Sequence, residues 1–517
     1  MRAIEYLSMP TYKRVLYKFL YGLLSIPRGI WRFISVTLVG FAKKIALAIG
    51  NYFINLKDIF ISGDWKTKVS YLVMGFGHVT RKSYIKGFLY FIYEIAFIVF
   101  MATSGISACQ KISSLGYVGK SSYYYDADAD IYVYVTTNIG DDSVVLLMTF
   151  VLMIIFMLIL VFLWSIQIKE NSELENMHKI GKGITDKEVL GSLVGKNYHK
   201  VLLAFPTFGL VLFTILPLCV MILVAFTNYS STFMNPKHLF DWVGVFNFEK
   251  LFGMAGSGGE SFAYVFSQIL IWTIIWAIFA TFTNYFMGMI VALMINKKGI
   301  RFKKVWRTIL ITTIAVPQFI SLLFLSRLLT QTGGLNSLLL KFGIIDNPIR
   351  FLDDALLAKI TIIIVNMWIG IPYTMLMCSG ILMNIPGDLY ESAKIDGANP
   401  VKMYTKITLP YMLFVTGPYL ISTFVGNINN FNVIYLLSGG NPMFTNVNGN
   451  LIDGSKVYNA GQTDLLITWL YKMCMTSTTK DYGVASVIGI IVFVIVATIS
   501  SIAYNRSNAV KNEGDFQ

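Results

Sequence analysis

The sequence predicts an all-α membrane protein with eight transmembrane helices, six of them forming a core, and three observations carry that prediction. Of the 517 residues, 55% are hydrophobic and only 14% are charged, a balance too apolar for an ordinary soluble domain. The apolar residues gather into runs of about 20, the length of a helix crossing a hydrocarbon layer. Lys and Arg, which give a net charge of +14, lie between the runs on what the pattern makes one side of the membrane. The excess therefore reads as positive charge retained on the cytoplasmic side, and not as a nucleic-acid surface.

The runs fall near 87–107, 143–167, 201–226, 265–295, 307–329, 359–385, 411–437 and 484–504. The opening residues MRAIEYLSMPTYKR lack the pattern of a cleavable signal, and the first long run starts only near Gly87. Between Val15 and Ile61 the chain is apolar but basic, with Phe33 to Ala42 its longest unbroken piece. Ten residues do not span a bilayer, so an amphipathic segment on the cytoplasmic face is expected there, with a ninth span as the competing reading.

Basic residues before Gly87 and in the loops near 168–200 and 297–307 contrast with the acidic loop 108–142, which holds Asp126, Asp128, Asp130, Asp141 and Asp142. The alternation places both termini in the cytoplasm, the 386–410 loop beside them, and 227–264, 330–358 and 438–483 outside. The expected organisation is a basic N-terminal region (1–86), two additional spans with their loops (87–199), a six-helix core (200–505) and a cytoplasmic tail (506–517).

The cytoplasmic loop from Ile385 to Pro410 reads IPGDLYESAKIDGANPVKMYTKITLP. Asp388 is suited to cap a short helix whose third position is Glu391. Gly397 suits a turn that needs positive φ. Asn399 before Pro400 is a second cap with proline at the first helical position, and Leu409 and Pro410 are expected to close that second helix. Two short helices rigidly joined at an angle suit docking to a cytoplasmic partner. An ordinary helical turn is the bland alternative.

With those residues in view, Glu391, Ser392, Ala393, Asp396, Gly397 and Ala398, followed by Ile407, Leu409 and Pro410, resemble the EAA loop of ABC-importer permeases. The resemblance implies a coupling helix seated in a groove of an ATPase subunit. Ser392 stands where that family more usually has Ala, a change of one small residue for another.

From about Lys200 onward the chain is similar to the large permease subunit of maltose transporters. NMWIGIPYTMLM, FVGNINNFNVIYLLSGG and AGQTDLLITWLY carry the similarity, and the first 80 residues lie outside it. The loop at 227–264 is short where the best-known members insert an external domain. The resemblance implies a type I importer fold and an oligosaccharide substrate of the maltose or maltodextrin kind. It also implies a second, similar permease, an ATPase dimer that binds ATP and Mg, and an external sugar-binding protein. No cofactor is expected in this chain.

Polar side chains inside spans are functional candidates, because hydrocarbon penalises them unless they pair or face a cavity. On one helix, Thr423, Asn427 and Asn430 would share a face at i, i+4 and i+7, offering groups that both donate and accept hydrogen bonds. Tyr373 adds a ring with a polar tip, beside Gly370, where the missing side chain leaves room. By resemblance, Gln318, Gly370, Tyr373, Thr423, Asn427 and Asn430 match the positions that hold maltose. Thr423 and Gln318 replace serines, and Gly426 replaces a Phe, so stacking is expected from Phe424 or Trp368. Interhelical bonding is the competing role for the asparagines.

Arg327 lies near an outer end, and Glu94, in the first span, is read as an interhelical partner or as a side chain reaching for a boundary. Ion coupling through membrane carboxylates therefore has no support, which weighs against a secondary transporter. A scaffold that transports nothing is a third class. GYVGKSS at 116–122 is too short between its glycines for a phosphate loop. The four cysteines and four histidines are scattered, so neither a metal site nor a catalytic cluster is expected.

Overall fold

The computed structural model describes residues 39–506 apart from 137–139, most of 182–196, 234–238, 255–258, 298, 448–449 and 452–453. The early part of the basic Val15–Ile61 stretch and the tail beyond 506 lie outside the described residues. The fold is helical, with two small two-stranded ladders. Among the described residues, seven helices are long and apolar enough to cross a membrane, or eight if one bent pair is a single span. The chain divides into two compact units, Met1–Cys109 with Thr149–Phe213, and Gln110–Met148 with Thr214–Gln517.

In the first unit, helix α1 (Val39–Ser62) is 24 residues long. Its Lys43, Lys44, Lys57 and Asp58 break the apolar run, and it is not among the candidate spans. Two short helices follow, α2 (Trp65–Val69) and α3 (Phe76–Thr80). The spans α4 (Tyr84–Lys111) and α5 (Ser143–Lys179) come next.

At 37 residues, α5 outruns a hydrocarbon core that needs only about 20, and its C-terminal third is polar for a reason visible in the packing. Buried Arg81 donates to Asp64 Oδ1 (2.7 Å), to Thr67 Oγ1 (2.9 Å) and to Asn171, and lies 3.6 Å from Glu175. Glu170 receives Lys86 Nζ at 2.8 Å and Tyr90 OH at 3.2 Å, and faces His78 Nε2 at 3.3 Å. Burying such charges is tolerable only because each is paired. Burial alone would raise the Asp64 carboxyl, but the Thr67 amide and the Arg81 guanidinium outweigh it and hold the group below the usual range. Glu94 accepts from the Met74 backbone N–H at 2.8 Å, satisfying a main-chain donor instead of reaching for a boundary.

The second unit contains the remaining spans: the end of α6 (Val201–Val224), α7 (Glu260–Asn296), α10 (Ala355–Leu382), α12 (Pro400–Ile428) and α14 (Tyr482–Tyr504). The bent pair is α8 (Lys303–Ala315) and α9 (Gln318–Leu328). The most buried span is α7, whose Trp276, Tyr285 and Met289 have no exposure. It packs tightly on α10 because glycines meet polar neighbours at the contact: a Cβ on Gly288 would overlap Thr374, and one on Gly370 would overlap the Asn284 amide. Thr374 Oγ1 then reaches the Asn284 carbonyl at 2.8 Å, the small-residue packing that membranes favour.

Two expected spans are not continuous. The run at 307–329 is broken by an 87° bend between α8 and α9. Pro317 forces Val316 into extended backbone (φ −78°, ψ 123°) and ends the first helix. The run at 411–437 stops at Ile428 and resumes as helix α13 (Phe431–Leu437).

The connection expected over 438–483 is partly core. Leu465, Trp469 and Met473 have no exposure, and Trp272 of α7 donates to Thr463 O at 3.1 Å. Asp464, also fully buried, holds Lys472 at 2.7 Å and the Gly461 amide at 2.7 Å. Burial still pushes its carboxyl above the usual range, with Lys472 pulling against it.

In the 108–142 loop, strands β1 (Ser121–Asp126) and β2 (Ile131–Thr136) form an antiparallel hairpin.

Candidate functional site

A cavity of about 410 Å³ opens between α7, the α8/α9 bend, α10 and α12. The bend exposes helix ends to it. Ala315 and Val316, where α8 ends, and Gln318, where α9 begins, all line it, and helix ends carry carbonyls and amides that have no intrahelical partner. Helix interiors offer no such groups, which is why broken helices line transport sites.

The wall is composed of amides, hydroxyls, aromatic rings and small apolar residues. Among the described residues, not one Asp, Glu, Lys, Arg or His lines it. Trp368 and Tyr373, one helical turn and a half apart on α10, are 50% and 57% exposed, so their rings are accessible surfaces.

The structure brings five of the six expected residues, Gln318, Gly370, Tyr373, Thr423 and Asn427, to this wall. Asn430 is not among the lining residues. The helical face proposed for it ends two residues earlier, because α12 stops at Ile428 and Asn430 caps α13, its side chain accepting from Val433 N–H at 3.4 Å. Its amide also donates to Asn427 Oδ1 at 3.2 Å, while Asn427 donates to Thr281 Oγ1 at 3.0 Å. Asn427 is thereby oriented between α7 and the start of α13.

Gly370 leaves room, but for the Asn284 amide. Of the two stacking residues expected, Trp368 lines the cavity and Phe424 does not. A Cβ on Gly426 would meet nothing within 4 Å.

Asn284, Asn366 and Tyr419 also line the cavity and were not singled out from the sequence. A signal for them exists in the sequence, since Asn284 and Asn366 are polar residues inside spans. Asn284 Oδ1 and Asn366 Nδ2 are buried and have no partner among the described residues.

The 386–410 loop forms an elbow. Helix α11 (Gly387–Ile395) starts after Pro386, so Asp388 lies within its first turn and makes no cap bond, contrary to expectation. The rigid φ of Pro386 already sets the entry to the helix, and the cap position is taken. Gly397 has φ +72°, as its place in the turn requires. Asn399 caps α12 by accepting from Lys402 N–H at 2.7 Å, with Pro400 at the first position.

Leu409 and Pro410 do not close a second short helix. The chain runs on from Pro400 to Ile428 through a widened turn at Tyr404–Thr408. Pro410 has no N–H and its ring crowds the carbonyl one turn back, which a five-residue turn relieves. Tyr390 OH and Thr408 Oγ1, 2.9 Å apart, brace the two arms. Glu391, Ser392 and Asp396 are exposed, Ala393 and Ala398 are partly covered, and Ile395 is 87% exposed.

Comparison with known proteins adds to this geometry. Residues 284–509 match the family described as binding-protein-dependent transport system inner membrane component. The maltodextrin transport system permease protein MdxF of Bacillus subtilis (strain 168) is 31% identical over 451 residues, 86% of this chain and 95% of the relative. The galactooligosaccharides transport system permease protein GanP of the same organism is 30% identical over 444 residues, 86% of this chain and 97% of the relative. The maltose/maltodextrin transport system permease protein MalF of Vibrio cholerae serotype O1 (strain ATCC 39315 / El Tor Inaba N16961) is 37% identical over 261 residues, 50% of this chain and 47% of the relative.

Proposed function

The chain belongs to the family of binding-protein-dependent transport system inner membrane components, a permease and not an ATPase, and from that premise we propose that it carries maltodextrins through the cavity at the α8/α9 bend. The observation that supports this best is the wall itself, which has no charged or imidazole side chain among its described residues. Amides and hydroxyls both donate and accept, as sugar hydroxyls do, and the exposed faces of Trp368 and Tyr373 suit the apolar faces of pyranose rings. Gln318, Gly370, Tyr373, Thr423 and Asn427 form the binding wall in this reading, and Asn430 positions Asn427.

Both termini and the elbow lie in the cytoplasm. A second permease completes the pathway, an external binding protein delivers the sugar, and an ATPase dimer grips Glu391, Ser392, Ala393, Asp396, Gly397 and Ala398. ATP binding closes the ATPases, the braced elbow transmits the movement into α12, and the cavity opens outward. Hydrolysis returns it inward.

A galactooligosaccharide is the second reading, favoured by the similarity to the permease described for that substrate. The assembled importer in proteoliposomes separates the two. Maltohexaose is expected to stimulate ATP hydrolysis, and Trp368→Ala to weaken that response by about tenfold. Stimulation by galactooligosaccharides alone would overturn the maltodextrin assignment.

A further inference from the structure

The β1–β2 hairpin has no role in the cavity or the elbow, yet its base is built with care. Asp141 exchanges bonds with the Tyr117 backbone, its amide donating to Tyr117 O at 2.9 Å and its Oδ2 accepting from Tyr117 N–H at 3.2 Å. Lys111 pairs with the same carboxylate at 3.1 Å. Gly116, at φ +109°, sits where a Cβ would come within 2.7 Å of Asp141 Cβ. Trp242 pins the preceding turn by donating to Ile112 O at 2.8 Å.

The hairpin held in this way carries exposed aromatic rings. Tyr125 pairs with Tyr132, and Tyr123 stands two residues from Tyr125 on the same strand, so the three share a face. They are 69% (Tyr123), 50% (Tyr125) and 72% (Tyr132) exposed, and the rings of Tyr125 and Tyr132 are 5.2 Å apart. A two-stranded ladder has no core of its own to justify such rings.

Two acids of the hairpin, Asp126 and Asp130, are engaged in its turn, and Asp128 is exposed. Asp126 Oδ1 accepts from the amides of Asp128 and Ala129, and Asp130 accepts from the Tyr125 hydroxyl. Residues 121–136 contain no Lys or Arg. The tyrosine face thus offers phenol rings, edged at Tyr125 by the acceptor carboxylate of Asp130 and by no cation of the hairpin, and it extends about 7 Å along the strand, further than one sugar ring needs.

Resting on the oligosaccharide reading above, we infer that this face is a peripheral binding surface for the importer's own neutral oligosaccharide, outside the translocation cavity. It holds longer chains by stacking on Tyr123, Tyr125 and Tyr132.

The test is saturation-transfer NMR on the assembled importer without its binding protein, using maltohexaose and, separately, a galactooligosaccharide. Binding is expected to weaken about tenfold in Tyr123→Ala/Tyr132→Ala and to persist in Tyr132→Phe. It is also expected to persist in the cavity variant Trp368→Ala, whose uptake falls. A hairpin-dependent signal from the galactooligosaccharide alone would sink the maltodextrin reading while supporting the platform. Signals unchanged in the tyrosine variant, or no signal with either sugar, would overturn the platform. So would loss of binding-protein docking in that variant with sugar signals intact.

Discussion

Gly370 lines the cavity and Gly426 directly precedes Asn427 of its wall, and their surroundings assign them opposite tolerances. A methyl at Gly370 would enter the Asn284 amide and press α7 from α10. Overpacking of this kind typically costs about 1–3 kcal/mol, so Gly370→Ala is expected to lower the midpoint of thermal unfolding of the assembled importer. Gly426 faces open space, so Gly426→Phe is expected to leave that midpoint unchanged while shifting the preference among maltodextrin lengths in ATPase stimulation. A falling midpoint for Gly426→Phe would contradict the open surroundings. At this scale the sequence was informative about residue type and weak about neighbours. Five expected residues reach one wall, but that Gly370 makes room for Asn284 and that Asn430 caps α13 depend on packing between helices distant in sequence.

At the scale of elements, helix interiors were legible and helix ends were not. Runs of apolar residues report burial or lipid contact directly, whereas an end depends on backbone bonds that several residues can satisfy. Pro386 displaced Asp388 from the cap, Pro317 bent a span, and Pro410 was absorbed by a widened turn. Gly397, by contrast, was readable because positive φ has few solutions. A Cβ there meets nothing within 4 Å, so the whole effect of Gly397→Ala is backbone strain of about 1–2 kcal/mol. The expected outcome is normal sugar binding with reduced sugar-stimulated ATPase activity, read on the same preparation; unimpaired stimulation would remove the elbow from the coupling path.

The α2–α3 segment gives a pH-dependent prediction of the same scale. Because Asp64 is held below the ordinary carboxylate value of about 3.9, its ion pair with Arg81 contributes stability above that pH and loses it as pH falls through the lower, folded-state value. Hydrogen exchange at residues 64–83 is expected to accelerate below about pH 4. In Asp64→Asn the part of that acceleration due to this carboxyl should vanish, leaving the contribution of Glu175 and Glu170. Identical pH profiles for the two proteins would show that the pair adds nothing.

For the whole molecule, the decisive property is where charge is allowed. Buried ionic groups occur in the α5 cluster and at the Asp464–Lys472 pair, each with its partners in place, while the cavity wall has none. The sequence anticipated the second fact, since its core spans are poor in charge, but it did not reveal that 438–483 folds back to bury an ion pair. That required contacts such as Trp272 with Thr463, which no local pattern encodes. A wall with no carboxylate, amine or imidazole among its described residues has nothing to protonate between about pH 6 and 8, where histidine is the ordinary responder and tyrosine stays neutral. In proteoliposomes supplied with ATP and binding protein, uptake is therefore expected to be insensitive to collapse of the proton or sodium gradient and to stop when ATP is withheld. If a protonophore abolished uptake while ATP hydrolysis continued, the driving force would have to enter through the cavity, and an uncharged wall could not receive it.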